Sequence, residues 1–507
     1  MKFRLHRRIS NISNTDWIKN VDRRVVLGLS GVILCLVSIG GLYLSTIPYK
    51  YLGGDSVGHI DYAWQVYNGR LPKFKEGTLA PFIPRRNVQF VSQHPPLYYT
   101  LIAPTIGYNF SKGHFNRAIF SARFITLLVA LLSVVALSWA GWVFGGEKKA
   151  QFAVALPALI ISIVPFIKIS SLIMNDILVL LASVVSMTLS GLIILKGPNT
   201  RLIVGLAIVS LIGMSSRATF LATMIPSLFA VLVGTWLHSN KNFRKRLQQS
   251  LTAIIVIVVV VLSGIGWFYH RNQTISGNWY RSGPQDWVKA QGREYRPLGS
   301  VVSNTRTWTL LADNLYGDSW KFADVYFSKQ ISNKKLSVIV FVGSVGLAGV
   351  WAFRKRRNLN NKEIFVVMMF SFQVALLWIQ QIIHATGYGA MNVRYVIPSL
   401  LPVGLLMCYG LLSIKKLRGL LVSCVVGLGI CLVIINLSWM LVKKDFSLGG
   451  VDNVIIKGLN QNGFNGLLLY IVLVAILTGL ALITASLWTL AKGENKDIIE
   501  NIEKLTK

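Results

Sequence analysis

The chain has little of what soluble enzymes are usually built around. Only 14% of its 507 residues are charged, and 19 acids face 52 Lys and Arg. There are four cysteines; Cys35, Cys408, Cys424 and Cys431 all sit in apolar runs without CxxC or ligand spacing, so neither a disulfide framework nor a cysteine metal site is implied. No G-x-x-x-x-G-K-[ST] loop and no G-x-G-x-x-G after a strand pattern occurs, so neither ATP nor a dinucleotide is expected. Nor is there a basic, aromatic-rich soluble domain, and the net charge of +33 is therefore not read as nucleic-acid binding.

What is abundant is apolar sequence: 53% hydrophobic residues and a mean hydropathy of +0.55. Runs near ~20 residues, long enough for a hydrocarbon core of about 30 Å, predict spans near 25–47, 117–144, 151–168, 175–195, 202–219, 220–237, 250–269, 336–353, 364–383, 395–414, 419–441 and 466–490. The expected fold class is thus an all-α polytopic membrane protein of about twelve transmembrane helices. A basic stretch (1–24) precedes a single membrane domain (25–490), and a tail (491–507) follows. The first run shows no small-residue cleavage site and reads as an uncleaved span.

The short loops RRIS…VDRR, EKK at 147, KGPNTR at 196, KNFRKR at 241, RKRRNLNNK at 354, KKLR at 415 and the tail all fall on one side. The positive-inside rule makes that side cytoplasmic, with both termini there and the chain in a plasma membrane. These segments hold 27 of the 52 Lys and Arg, leaving 25 basic residues against 11 acids elsewhere, a surplus of 14. Such a surplus suits either an anionic lipid surface or an anionic ligand such as a lipid phosphate.

Two external loops are long, near 48–116 and 270–335, and loops of that length are expected to be functional. In the first, Val57, Ile60, Trp64 and Tyr67 recur at helical spacing, predicting a helix on the membrane surface whose polar side carries Asp55, His59 and Tyr62. Gly53 and Gly54 allow a sharp turn, and Asp55 with Ser56 stands where a cap is needed. Capping alone would explain Asp55. Its company argues for more: His59 lies one turn on, and His94-Pro95-Pro96-Leu97-Tyr98-Tyr99 re-enters the apolar phase from the same loop. The second loop carries Trp279, Trp287, Trp308 and Trp320 with Arg281, Arg293, Arg296 and Arg306, a composition suited to sugar and phosphate contact or to lipid headgroups.

The stretches GGDSVGHIDYAWQVYNGRLP, QHPPLYYTLIAP and RAIFSARFITLLVALLSVVALSWAGWVFGG resemble the N-terminal half of the GT-C superfamily of membrane glycosyltransferases, the group of protein O-mannosyltransferases and aminoarabinose lipid A transferases. SSLIMNDILVLLAS and NVRYVIPSLLPVGLL resemble later motifs of the same group, while residues 240–380 align with no member. Many members carry Asp-Glu where this chain has Asp55-Ser56, so a two-acid arrangement does not follow. The His59 and Asp61 that come next resemble bacterial members of unassigned substrate.

The resemblance implies sugar transfer from a polyprenyl-phosphate carrier on the extracytoplasmic face, with inversion, to a glycan, lipid or protein acceptor. Such a reaction needs one base for the acceptor and fixed donors for the departing phosphate. Asp55 is the expected base, with His59 beside it as a second catalytic residue. Asp61, His94, Tyr98, Asp176, Arg217, His384, Arg394 and Tyr395 are expected at the substrate. A divalent cation is compatible with Asp55, His59, His94 and Asp176, but no spacing demands one. Each assignment has a plainer counterpart: Asn175-Asp176 as a helix cap, Arg217 in an interspan ion pair, Arg394 as an interfacial anchor. The rival functions are a lipid flippase or transporter, whose charges would lie at the midplane of two repeated halves, and a noncatalytic polyprenyl-lipid binder.

Overall fold

The computed structural model describes residues 22–49, 55–279, 289, 292–316, 333–355, 359–389, 391–414, 417–442 and 454–506. The Gly53-Gly54 turn, Arg281, Trp287 and Trp320 lie outside these.

The described helices are α1 (Arg23–Thr46), α2 (Ser56–Tyr67), α3 (Leu97–Ser111), α4 (Phe115–Phe144), α5 (Lys149–Ile161) and α6 (Val164–Ser171). Then come α7 (Asp176–Lys196), α8 (Thr200–Met214), α9 (Leu221–His238), α10 (Phe243–Ser276), α11 (Leu298–Ser303) and α12 (Thr305–Asn314). The C-terminal part adds α13 (Asn333–Lys355), α14 (Asn361–Ala385), α15 (Leu400–Leu411), α16 (Arg418–Val442), α17 (Val454–Gln461) and α18 (Leu467–Thr506). No β-strand occurs among the described residues.

All twelve expected spans are helical, but ten are long and apolar enough to cross a membrane by themselves, or eleven with a bent pair counted as one. The bent pair is α5 and α6, which meet at 75°. Pro165 stands in the first turn of α6, where it has no amide to donate and restricts the residue before it. The freed Val164 amide donates to the Leu315 carbonyl at 3.1 Å. The other exception is α8, which stops after 15 residues. Gly213, in its last turn, lets Phe220 pack so closely that a Cβ there would come within 2.4 Å of the ring.

Every residue from Gln151 to Ser171 is buried, so the bent pair is the axis of the molecule. Around it, α1 crosses α18 at small residues: a Cβ on Gly31 would stand 2.6 Å from the Gly479 carbonyl oxygen. Close approach of this kind is how helices gain packing energy where lipid supplies no hydrophobic drive.

The basic loops gather at one end. Arg24 donates to the Thr489 carbonyl, Lys148 to Leu412, and Lys362 to Leu195. Helices leaving this end are capped conventionally: Asp22, Asn199, Asn242 and Asn360 each accept from an amide of the first turn. At the opposite end Asn304 and Asn392 cap in the same way, but the starts of α2 and α7 are used differently.

The first outer segment departs from expectation. α2 is not a surface helix, since Val57 through Ala63 are all buried. The apolar stripe packs on α3 and beneath residues 74–94, which fold back over it, and only Tyr67 and its neighbours at the C-terminal end are exposed.

Candidate functional site

Asp55 occupies the N-cap position of α2, yet its side chain accepts nothing from that helix. The carboxylate instead takes a hydrogen bond from Nη2 of Arg394, 339 residues away, at the start of the 3-10 turn Val393–Ser399. Asn175 and Asp176 repeat the pattern on α7. Asn175 is the N-cap without a capping bond, its amide donating to the Ser216 carbonyl at 3.0 Å, and Asp176 accepts from Nη1 of Arg217. Capping therefore explains neither acid.

The two ion pairs share one aromatic ring. The Arg217 guanidinium carbon lies 4.8 Å from the Tyr395 centroid and that of Arg394 lies 5.0 Å away, while Arg394 also donates to the Tyr395 hydroxyl at 3.1 Å. Cations over an aromatic face are favoured by its quadrupole. His384 closes the other edge, its ring 5.1 Å from Tyr395 and nearly perpendicular. Arg217 and Asp176 keep 7% and 5% side-chain exposure, whereas Asp55 keeps 29%. Asp55 is thus the more open of the two acids.

The histidines come from the first outer loop. The His59 and His94 rings stack at 6.2 Å, both buried, and His59 Nδ1 lies 2.8 Å from the Tyr99 hydroxyl. Tyr62 stacks on Tyr99 at 3.8 Å and donates to the His94 carbonyl at 2.8 Å, fixing the turn that precedes Pro95. Burial lowers His59 to about 4 and takes His94 well below its ordinary value, with Arg217 adding to the effect on His94. Both imidazoles are neutral at pH 7. For Asp55 burial works upward, but Arg394 outweighs it with help from His59 and Arg217, and the carboxyl is held below the usual carboxylate range.

The structure thus brings Asp55, His59, His94, Asp176, Arg217, His384, Arg394 and Tyr395 into one cluster. Two expected members stand apart. Asp61 accepts from the amides of Leu79 at 2.6 Å and Ala80 at 2.8 Å and from the side chains of Gln65 and Gln89, so its carboxylate is spent on the outer loop. Burial raises it against the pull of those donors. Tyr98 turns away to Thr126, 2.7 Å from hydroxyl to hydroxyl. Two further members, Tyr99 and Asn175, are read from the sequence only as part of the re-entry segment and as a helix cap. Among the described residues no three of His, Cys, Asp or Glu are grouped to hold a metal ion.

The rim is built from the second outer loop. Arg296 and Gly387 exchange main-chain hydrogen bonds of 2.7 and 2.8 Å, and Tyr295 meets Tyr388 edge-on at 5.6 Å. Gly387 has φ of +85°, which admits glycine without strain.

No family model matches the chain and no curated protein is significantly similar to it. Among solved structures it is similar to ArnT from Cupriavidus metallidurans bound to undecaprenyl phosphate, at 12% identity, covering 94% of this chain and 78% of that one with a TM-score of 0.44. It is also similar to the archaeal oligosaccharyltransferase AglB from Archaeoglobus fulgidus in complex with an inhibitory peptide and a dolichol-phosphate, at 10% identity, covering 86% of this chain and 56% of that one with a TM-score of 0.42. The chain spans little more than half the length of AglB.

Proposed function

We propose that this cluster is the active centre of a membrane glycosyltransferase that moves a sugar from a polyprenyl-phosphate donor onto an acceptor on the extracytoplasmic face. The observation that carries the reading is the convergence of two acids and two arginines on Tyr395 at the end of the molecule away from the basic loops. That end faces outward if the positive-inside rule holds here.

Arginine's planar fork suits phosphate, and two guanidiniums held over one ring offer fixed donors for the charge that grows on the leaving phosphate. Because phosphate departs without protonation, a single base suffices, and Asp55, the more open carboxylate, takes the acceptor's proton as the sugar's anomeric carbon is inverted. His59 sits one helical turn away to orient that carboxylate. Asp61 serves the site indirectly, by anchoring the loop that delivers His94. A groove of about 600 Å³ on α4, α7 and α8, lined by Leu132, Val135, Leu181, Val185, Ile208 and Ile212, runs along α7, which begins at Asp176, and α8, which ends three residues before Arg217, and suits an isoprenoid tail. The acceptor is a glycan, lipid or protein.

The test is transfer of radiolabelled sugar from a panel of polyprenyl-phosphate donors in proteoliposomes, wild type against Asp55→Asn at equal abundance. Loss of a general base should cost on the order of a hundredfold or more. Undiminished transfer by the variant would remove Asp55 as the base; a noncatalytic binder would show no transfer in either protein while still retaining the lipid.

A further inference from the structure

Both carboxylates of the cluster are diverted. Each belongs to a helix start where it would ordinarily serve its own helix, and each is committed to a guanidinium. The guanidiniums, by contrast, do not depend on the acids for their placement: Tyr395 sits against both, and Arg394 also donates to its hydroxyl. Removing the carboxylates would leave two cationic forks still aimed at a common point. The inner pair is also incompletely made. Asp176 uses only Oδ1 on Arg217, and its buried Oδ2 has no hydrogen bond. A bidentate phosphate contact is stronger than such an end-on pair. Charge points the same way, since two acids and two arginines are already balanced, so an incoming phosphate next to both intact pairs would face two carboxylates at close range.

Resting on the glycosyltransferase reading, we infer that the two pairs are an internal stand-in for the donor: Asp55 and Asp176 occupy the arginines in the empty site, and the lipid phosphate binds by displacing them. Exchange then does two things at once. It fixes the phosphate on Arg394 and Arg217, and it releases Asp55 from its cation, so that a competent base exists only when donor is present. The empty enzyme is thereby kept from activating water, and donor precedes acceptor. The charged and titratable groups facing Asp55 are His59 on α2, His94 ahead of α3, Asp176 and Arg217 on the α7 side, and Arg394, Tyr395 and His384 on the other; burial keeps His59 and His94 neutral at neutral pH.

The consequence is unusual for a catalytic base: deleting its charge should improve ligand binding. The experiment measures binding of undecaprenyl phosphate to the full-length protein in detergent by tryptophan fluorescence, with undecaprenol as the tail-only control. Asp55→Asn should bind the phosphate about tenfold tighter than wild type, and Arg394→Gln at least about tenfold weaker. Equal affinity of wild type and Asp55→Asn, with Arg394→Gln still weakened, would overturn the exchange while leaving the glycosyltransferase reading standing. Failure of wild type to distinguish the phosphate from the alcohol would overturn that reading itself. Should Asp55→Asn not fold, Asp176→Asn carries the same expectation at Arg217.

Discussion

Neutral histidines buried beside arginines make the fold sensitive to mild acid, and His59 allows the effect to be sized. In the unfolded chain its imidazole titrates near 6.5, whereas in the folded protein burial holds it to about 4. Between those values the unfolded state carries a proton that the folded state refuses, so stability falls as pH drops through the window. At about 1.36 kcal/mol per pH unit the full window is worth roughly 3 kcal/mol, a large share of a marginal folding free energy. His94, lowered further, acts in the same direction, while Asp61, raised by burial above the ordinary carboxyl value, takes up its proton earlier in the folded state and opposes the loss at the acid end of the window. The assay is thermal unfolding of purified protein in detergent, followed by intrinsic fluorescence from about pH 7 down to about pH 4.5. Wild type should lose several degrees of midpoint over that range. His59→Gln, which cannot titrate there, should lose distinctly less. Parallel pH profiles in the two proteins would mean that His59 accepts a proton in place, and the account of a dry, neutral imidazole would be wrong.

Replacing Arg217 with Met strands the buried Asp176 carboxylate and should destabilise by about 3–5 kcal/mol, much of it regained in Arg217→Met/Asp176→Leu, as read from the unfolding midpoints of the single and double variants. If the double variant is as unstable as the single, the pair is not the source of the cost. Asp61→Ala removes the acceptor of the part-buried Leu79 amide, the buried Ala80 amide and the Gln65 side chain and one of the two acceptors of Gln89, and at ~1 kcal/mol or more for each bond lost the segment 78–92 should loosen. Limited proteolysis there should be faster than in wild type, and an unchanged cleavage pattern would count against the network. Gly31→Leu should drive α1 off α18, giving aggregated rather than monodisperse protein on gel filtration, because the new side chain meets the Gly479 carbonyl.

Much of the cluster was legible because charge is expensive in an apolar chain: Arg217 inside a hydrophobic run and the acids at helix starts had to be explained. Their pairing was not legible. Arg394 and Asp55 are separated by 339 residues and Arg217 and Asp176 by 41, distances over which only the packed fold decides partners. Rotation about a helix explains the errors at Asp61 and Tyr98. At about 100° per residue, His59 projects within about 40° of Asp55, whereas Asp61 lies about 240° round and faces the loop. Tyr98 and Tyr99 differ by one such step, enough to send one hydroxyl to Thr126 and the other to His59. The surface placement expected for α2 failed for another reason. Its stripe of Val57, Ile60 and Trp64 is equally suited to protein and to lipid, and nothing in residues 74–94 announces that they fold over it. The expected twelfth and eleventh spans were lost to local breaks at Pro165 and at Gly213, which end helices without interrupting hydropathy.

The segment 292–316 is attached at its two ends in different ways. Near one end, the Leu315 carbonyl is bonded to Val164 at the break in the bent helix pair, with Leu315 and Tyr316 buried beside it. Near the other, the exposed Arg296 is held to the buried Gly387 by two main-chain bonds. Between the two, Val301, Thr307, Leu310 and Leu311 are buried and the Trp378 indole donates to the Thr307 carbonyl at 3.0 Å, so the segment is held along its length and releasing Leu315 would expose the molecular axis. The segment therefore frays from its exposed residues 292–300 and not from α12. Amide exchange should record that gradient, rapid at Glu294 and slow at Val164.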